Sequence, residues 1–158
     1  MAAPVAVVRG TPAGIQLQDG FSTKLAIEGL LTISFWEKTV GAPAIEGGDP
    51  VDQTTMHNVT WRTQLPRHLK TLEPFTLTAA YDPEVYNQII AQLNINQTLT
   101  VIFPDGSTLA FFGWLRKFEP ADNAEGTQPE CTITLEPSNF DPANNVEAGP
   151  VMVEVAGT

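Results

Sequence analysis

FTLTAAYDPEVYNQIIAQLNINQTLTVIFPDGSTLAFFGWLRKF, residues 75–118, runs strand, helix, strand, turn and strand almost without spacer. The helix is announced by Asp82 as N-cap, Pro83 at the first helical position, and Glu84 where the helix dipole favours negative charge. Val85, Ile89, Ile90 and Leu93 follow on one face at helical spacing, and Asn94 and Asn96 end the element. Thr98 to Phe103 is apolar and β-branched, as a half-buried strand is. Pro104-Asp105-Gly106-Ser107 supplies a tight turn, with Gly106 free to take positive φ, and the strand after it reaches from Thr108 to Phe118. The sequence predicts a packed β unit with a helix laid against it.

Upstream, Phe21, Thr23, Leu25 and Ile27 alternate with Ser22, Lys24 and Glu28. After a break at Gly29, Leu31, Ile33 and Phe35 oppose Thr32, Ser34, Trp36 and Lys38, which gives two strands with one face toward a core. Gly41, Pro43, Gly47, Gly48, Asp49 and Pro50 then mark a long loop over 41–60. Loops of that length in compact domains are functional or ordered by a partner. Val59 to Thr63 reads as a short strand, Leu65 to Leu72 as a turn or brief helical piece, and Phe75, Leu77, Ala79 and Tyr81 as one side of the next strand. The last main strand is Glu130 to Glu136, and Val151 to Val155 can add an edge strand. Met1 to Gly20 shows little periodicity. This divides the chain into an arm over 1–20, a β domain over 21–137 and a C-terminal arm over 138–158, with no internal repeat. The fold class is mainly β: an antiparallel two-sheet sandwich or barrel with one flanking α-helix. Such a fold leaves strand edges that must be blunted or paired with another chain.

A chain of 158 residues suits one domain that buries roughly 70% of its unfolded surface. The single cysteine, Cys131, alternates with Ile133 and Leu135 and reads as a core residue rather than a nucleophile. No basic segment precedes an apolar run at the N-terminus and no apolar run is long enough to cross a bilayer, so neither a secretion signal nor a membrane span is expected, and the sequons at Asn58 and Asn96 are idle. Net charge is −10, and after Lys117 every charged residue is acidic, which disfavours tight binding to phosphate backbones.

His57 and His68 are the only histidines, no zinc-type or nucleophile-elbow spacing occurs, and Asp49 and Asp52 lack the further acids of a calcium loop. No enzyme, metal or cofactor is expected. Arg62, Arg67, His68 and Lys70 form the one basic group, and they suit an intersubunit contact with Glu46, Asp49 and Asp52 of a neighbour better than a nucleic-acid patch. Trp61 beside them reads either as an interface anchor or as a core residue.

Tyr81-Asp82-Pro83 opening a helix, the Thr100-Val101-Ile102-Phe103-Pro104-Asp105-Gly106-Ser107 turn, Phe112-Gly113-Trp114-Leu115 and Thr132-Ile133-Thr134-Leu135 together resemble the major tail tube proteins of long, non-contractile-tailed bacteriophages. The resemblance covers roughly residues 15–142 and extends to Glu46-Gly47-Gly48-Asp49, Thr54-Thr55-Met56 and Pro66-Arg67-His68-Leu69. It implies a virion structural protein, assembled in the bacterial cytoplasm into hexameric rings that stack as a hollow tube. It also implies that long loop and arms reach neighbouring subunits and rings, that tail tip or initiator, tape measure and terminator proteins are partners, and that double-stranded DNA passes without specific binding. Six copies at −10 would give a ring of about −60, and acids on a lumen wall repel phosphate within a Debye length of ~8 Å. Lys24, Glu28, Thr32 and Ser34 are the lumen-facing candidates. A neck, terminator or contractile-type inner tube protein shares the fold class, and a monomeric β-barrel ligand-binding module is the alternative of another kind.

Overall fold

A computed structural model describes residues 23–29, 36–81 and 83–154, apart from the side chain of Val85. Its strands are β1 (Lys24–Ile27), β2 (Glu37–Val40), β3 (Ile45–Glu46), β4 (Val51–Asp52), β5 (Gln64–Leu65), β6 (Thr71–Leu72) and β7 (Phe75–Ala80). After α1 (Pro83–Gln92) come β8 (Gln97–Ile102), β9 (Thr108–Pro120), β10 (Glu130–Pro137), β11 (Phe140–Asp141), β12 (Val146–Glu147) and β13 (Val151–Val153). The main sheet has seven strands in the order β1-β8-β9-β10-β7-β2, every pairing antiparallel, with β13 also on β9. β10 follows β9 only as far as Pro137↔Gly113, and β13 takes over from Val151↔Ala110 to Val153↔Thr108. The outermost strands, β1 and β2, come into contact, and the Leu25 N–H donates to Glu37 Oε1 at 3.2 Å. The sheet therefore curls toward closure, giving the mainly β, antiparallel fold with one helix that the sequence predicts.

Alternation places one residue in two inside. Leu25 and Ile27 of β1, Phe75, Leu77 and Ala79 of β7, Leu99 and Val101 of β8, and Cys131, Ile133 and Leu135 of β10 are buried. Leu72, Ile89, Phe111 and Leu115 join the same core cluster. Full burial of each large apolar side chain contributes about 1.5–3 kcal/mol. On β9 the parity changes: Phe111 and Leu115 are inward, yet Phe118 packs against the core while Lys117 is exposed. The cause is a bulge, since Leu135 pairs Leu115 and Thr134 pairs Lys117, leaving Arg116 as an extra residue. One extra residue flips every later side chain to the other face. Phe118 then meets Tyr86 of α1, with rings 5.6 Å apart and nearly perpendicular.

Helix α1 begins at Pro83 as expected, while its expected cap, Asp82, lies outside the described residues. Ile89 is fully buried and Leu93 packs on the core, but Ile90, expected on the same face, is 49% exposed. Adjacent residues point about 100° apart around a helix, so only one of Ile89 and Ile90 can lie at the centre of the buried stripe. Asn94, at φ 61°, ends the helix and donates its N–H to the Leu115 carbonyl at 3.0 Å.

Residues 103–107 close the β8–β9 hairpin. The Gly106 N–H donates to the Phe103 carbonyl at 3.0 Å and the Phe103 N–H to the Ser107 carbonyl at 2.9 Å, with Gly106 at φ 91°. This is a three-residue loop whose glycine holds the left-handed position. Gly106→Val is expected to cost about 1–3 kcal/mol, because a β-branched residue resists that backbone region; an unchanged melting temperature would contradict the geometry. Asp105 accepts from the Ser107 N–H at 2.8 Å and hydroxyl at 2.9 Å, and these bonds hold its carboxyl below the usual carboxylate range. A depressed carboxylate pKa gives stability that is present above the unfolded value and lost as pH falls through the folded one. Ser107→Ala is therefore expected to move the Asp105 side-chain NMR titration upward, and a midpoint unmoved by the substitution would rule this coupling out.

Between β2 and β7 the structure departs from expectation. Val59 and Thr60 form bends and 61–63 are irregular, not a strand, and the segment from Leu65 to Leu72 ends β5, bends at His68 and enters β6 rather than forming a helical turn. The excursion that begins at residue 41 returns along these limbs and rejoins the sheet only at Phe75. The arm over 1–20 lies outside the described residues, as does the expected strand over 31–38 up to residue 35; its end, Glu37 and Lys38, belongs to β2, which runs on to Val40. Beyond Pro137 the chain folds back through the β11–β12 ribbon and β13.

Candidate assembly interface

The excursion over 41–74 is a two-limbed arm. Ile45↔Leu72 and Glu46↔Thr71 pair at its root, Val51↔Leu65 and Asp52↔Gln64 farther out, and the Glu73 N–H donates to the Ala44 carbonyl at 2.8 Å. Leu72 and Pro43 are buried and tie the root to the core, but from Ala44 to Thr71 every residue is exposed except the half-buried Asn58. A two-stranded ribbon without an apolar face is marginal in water, so polar contacts must shape it.

They concentrate at the tip. The Gln53 N–H donates to the Thr63 carbonyl at 2.9 Å, and the Thr63 N–H to Thr54 Oγ1 at 3.1 Å. Asn58 Oδ1 accepts from the Thr55 N–H at 2.9 Å while its Nδ2 donates to the Trp61 carbonyl at 2.8 Å. Asn58 thus spends its side chain inside the loop, as an Asx-type residue does. The frame leaves the apolar side chains outside: Met56 is 102%, Val59 97%, Trp61 81% and Leu69 80% exposed. Trp61 is accordingly not a core residue.

The charged candidates are drawn together largely within this one arm. Arg62 Nη1 lies 3.6 Å from Asp52 Oδ2, both well exposed, a spacing worth little in water. Asp52 is held below the usual carboxylate range by the hydroxyl and N–H of Thr54 rather than by that guanidinium. Arg67 Nε donates to the Asp49 carbonyl at 2.8 Å, and its Cδ would stand 3.0 Å from a Cβ added at Gly48, which has φ 84°. The Glu46 carboxyl is pushed above its ordinary value by a hydrogen bond to Glu73 and by the charge of Glu73, with a smaller contribution from Asp49. His68 and Lys70 are exposed and make no hydrogen bond or ion pair among the described residues. Within the one chain, then, Arg62 stands near the Asp52 carboxylate and Arg67 bonds the Asp49 backbone, while both guanidinium-bearing residues remain exposed.

Lys24 and Glu28 of the lumen-facing set are exposed, on the outward parity of β1 and just beyond it, and Glu28 Oε2 accepts the Thr98 N–H at 3.1 Å. Thr32 and Ser34 lie outside the described residues. Sequence reasoning missed Met56, Val59 and Leu69, apolar residues isolated in polar surroundings with no period to bury them; that isolation was the available signal. Among the described residues no cluster of three or more His, Cys, Asp or Glu suits a metal ion, and no helix is long and apolar enough to cross a membrane.

No family model matches the chain, and no curated protein matches it. Among solved structures it is similar to a chain of the anti-feeding prophage (AFP) baseplate, seen by cryo-EM with six-fold symmetrisation. The two share 8% sequence identity with a TM-score of 0.55, over 85% of this chain and 92% of the other. At that identity the likeness is one of fold: this chain has a fold that also occurs in a prophage baseplate.

Proposed function

We propose that this chain is a structural subunit of a bacteriophage or phage-derived tail, and that its copies assemble as stacked, six-membered rings into a hollow tube for the genome. The observation that carries the reading is the arm, whose polar frame is complete within one chain while Met56, Val59, Trp61 and Leu69 stand in water. Exposed apolar groups on a pre-formed element are interface material, because ordering costs are met before binding. Among the described residues β1, β2 and β13 each pair on one side only, leaving edges that a cyclic, head-to-tail contact would satisfy. A net charge of −10 suits a conduit that must not grip DNA. The same fold occurs in the six-fold prophage baseplate. Partners would be further copies of this chain together with tail tip, tape measure and terminator proteins met in the host cytoplasm, and no catalytic step is assigned.

A ring-limited baseplate or contractile-type inner tube component is the second reading, favoured because the structural neighbour is a baseplate chain. Negative-stain electron microscopy with light scattering across concentration separates the two. Open-ended tubes formed by this chain alone support the first, and single rings, or tubes that need a sheath partner, the second. A monomer at every concentration, with or without a tail-tip complex, overturns both and returns the chain to the ligand-binding class.

A further inference from the structure

We infer that residues 4–9 of the same chain dock as a further strand on the free edge of β13. Among the described residues β13 pairs only with β9, and neither of its faces is covered: Val151, Met152 and Val153 are 59%, 50% and 57% exposed. Directly opposed residues of a sheet share a face, and the rows across this sheet show what is missing. Leu25, Val101, Leu109 and Met152 form one row through β1, β8, β9 and β13. Leu25 and Val101 are buried and Leu109 is half-buried on the core, but Met152, of the same inward parity, stands half in water. The core runs out of cover at β13. One more strand there would take up the unpaired backbone groups of the edge and close over Met152.

The chain ahead of the described residues joins the sheet at the place from which it can supply that strand. Lys24, Ile102, Thr108 and Val153 form the neighbouring row, so the segment before Thr23 enters β1 in line with the last residue of β13. Three strand spacings of about 4.8 Å separate Lys24 from Val153, roughly 14 Å in all. Residues 10–23 span up to about 45 Å when extended, ample for a path around the hairpin turn at 103–107. Residues 4–9, PVAVVR, are apolar and β-branched after the opening proline, which suits an edge strand. Since the chain must run on from residue 9 to Lys24, the segment lies parallel to β13 with its end at Val153. That sets Arg9 beside Glu154, in a stretch with no base after Lys117. The other strand-like run before Thr23, IQLQ at 15–18, would bring Asp19 to the same acid. With β13 closed within the chain, β1 and β2 keep their free edges for contact between copies.

A photo-reactive phenylalanine derivative in place of Met152, in full chains mixed as isotopically labelled and unlabelled copies, reads the contact directly. The expected product is a cross-link to residues 4–9 that stays within one isotope at every concentration. Mixed-isotope cross-links to 4–9 would give the edge to a second copy, and cross-links elsewhere, or none, would take this segment off the edge; each result overturns the inference. Hydrogen exchange follows the same contact without a probe. Val7→Asp is expected to speed the exchange of at least one amide among residues 151–153 by about tenfold or more, because local opening sets protection, while the amides of β8 and β10 keep theirs. Equal exchange at 151–153 in the two chains would also overturn the docking.

Discussion

Excision of residues 47–70, with Glu46 joined to Thr71 through a two-residue Asn-Gly turn, is expected to leave the sheet folded and to abolish self-association. Glu46 and Thr71 are already a cross-strand pair, so a tight hairpin turn can replace the outer arm without shifting register. Leu72, which packs in the core, and the bond from Glu73 to Ala44 are kept. What is lost contributes almost no burial, since all the removed residues are exposed except Asn58. The melting temperature should therefore move by no more than about 3 °C, for a change well under 1 kcal/mol. Assembly loses every apolar side chain at the tip, and the association midpoint should rise by about a hundredfold or more, the effect of removing several interface anchors together. Normal rings or tubes from the excised chain would remove the arm from the assembly mechanism. Failure to fold would show that the arm stabilises the sheet and is not an independent projection.

The parts of this fold that were legible in sequence are those where burial imposes a period. Leu25 and Ile27, Phe75 and Leu77, and Ile133 and Leu135 alternate because one face of each strand is in the core, so parity alone assigned them correctly. Pro83 and Gly106 were legible because backbone geometry restricts who can stand there. The returning limb of the arm was not, since a ribbon exposed on both faces has no apolar period to display, and residues 65–72 therefore read as a turn or brief helical piece. The bulge at Arg116 was hidden for a related reason: its signature is a change of parity between Leu115 and Phe118, visible only once the partner register is known. At the site, the charged residues are legible because Arg62, Arg67, His68 and Lys70 break an otherwise acidic sequence. The apolar ones beside them carry no period, so Trp61 alone stands out in sequence, as either an anchor or a core residue, and burial had to decide between the two.

Gly113 is the position where the smallest substitution should do the most damage to the fold. It pairs with Pro137 at the end of the β9–β10 ladder, three residues before the bulge at Arg116. A Cβ built there would stand 2.5 Å from the Glu136 carbonyl oxygen and 3.2 Å from the Pro137 Cα. Both obstacles are backbone, so no rotamer change relieves the clash, and the strands must separate where Leu115 and Leu135 are fully buried. Gly113→Ala is expected to cost about 2–3 kcal/mol, as overpacking does, and to lower the melting temperature by about 4–12 °C for a chain of this size. Gly47→Ala is the control, because a Cβ there meets nothing within 4 Å and should leave the melting temperature unchanged. Equal melting of the two variants would show that β9 and β10 separate at little cost at this end, and that Gly113 is not held by the close approach of the Glu136 carbonyl. A large loss at Gly113 alone would establish that the Phe112-Gly113-Trp114-Leu115 stretch needs glycine for backbone proximity, a packing requirement independent of assembly.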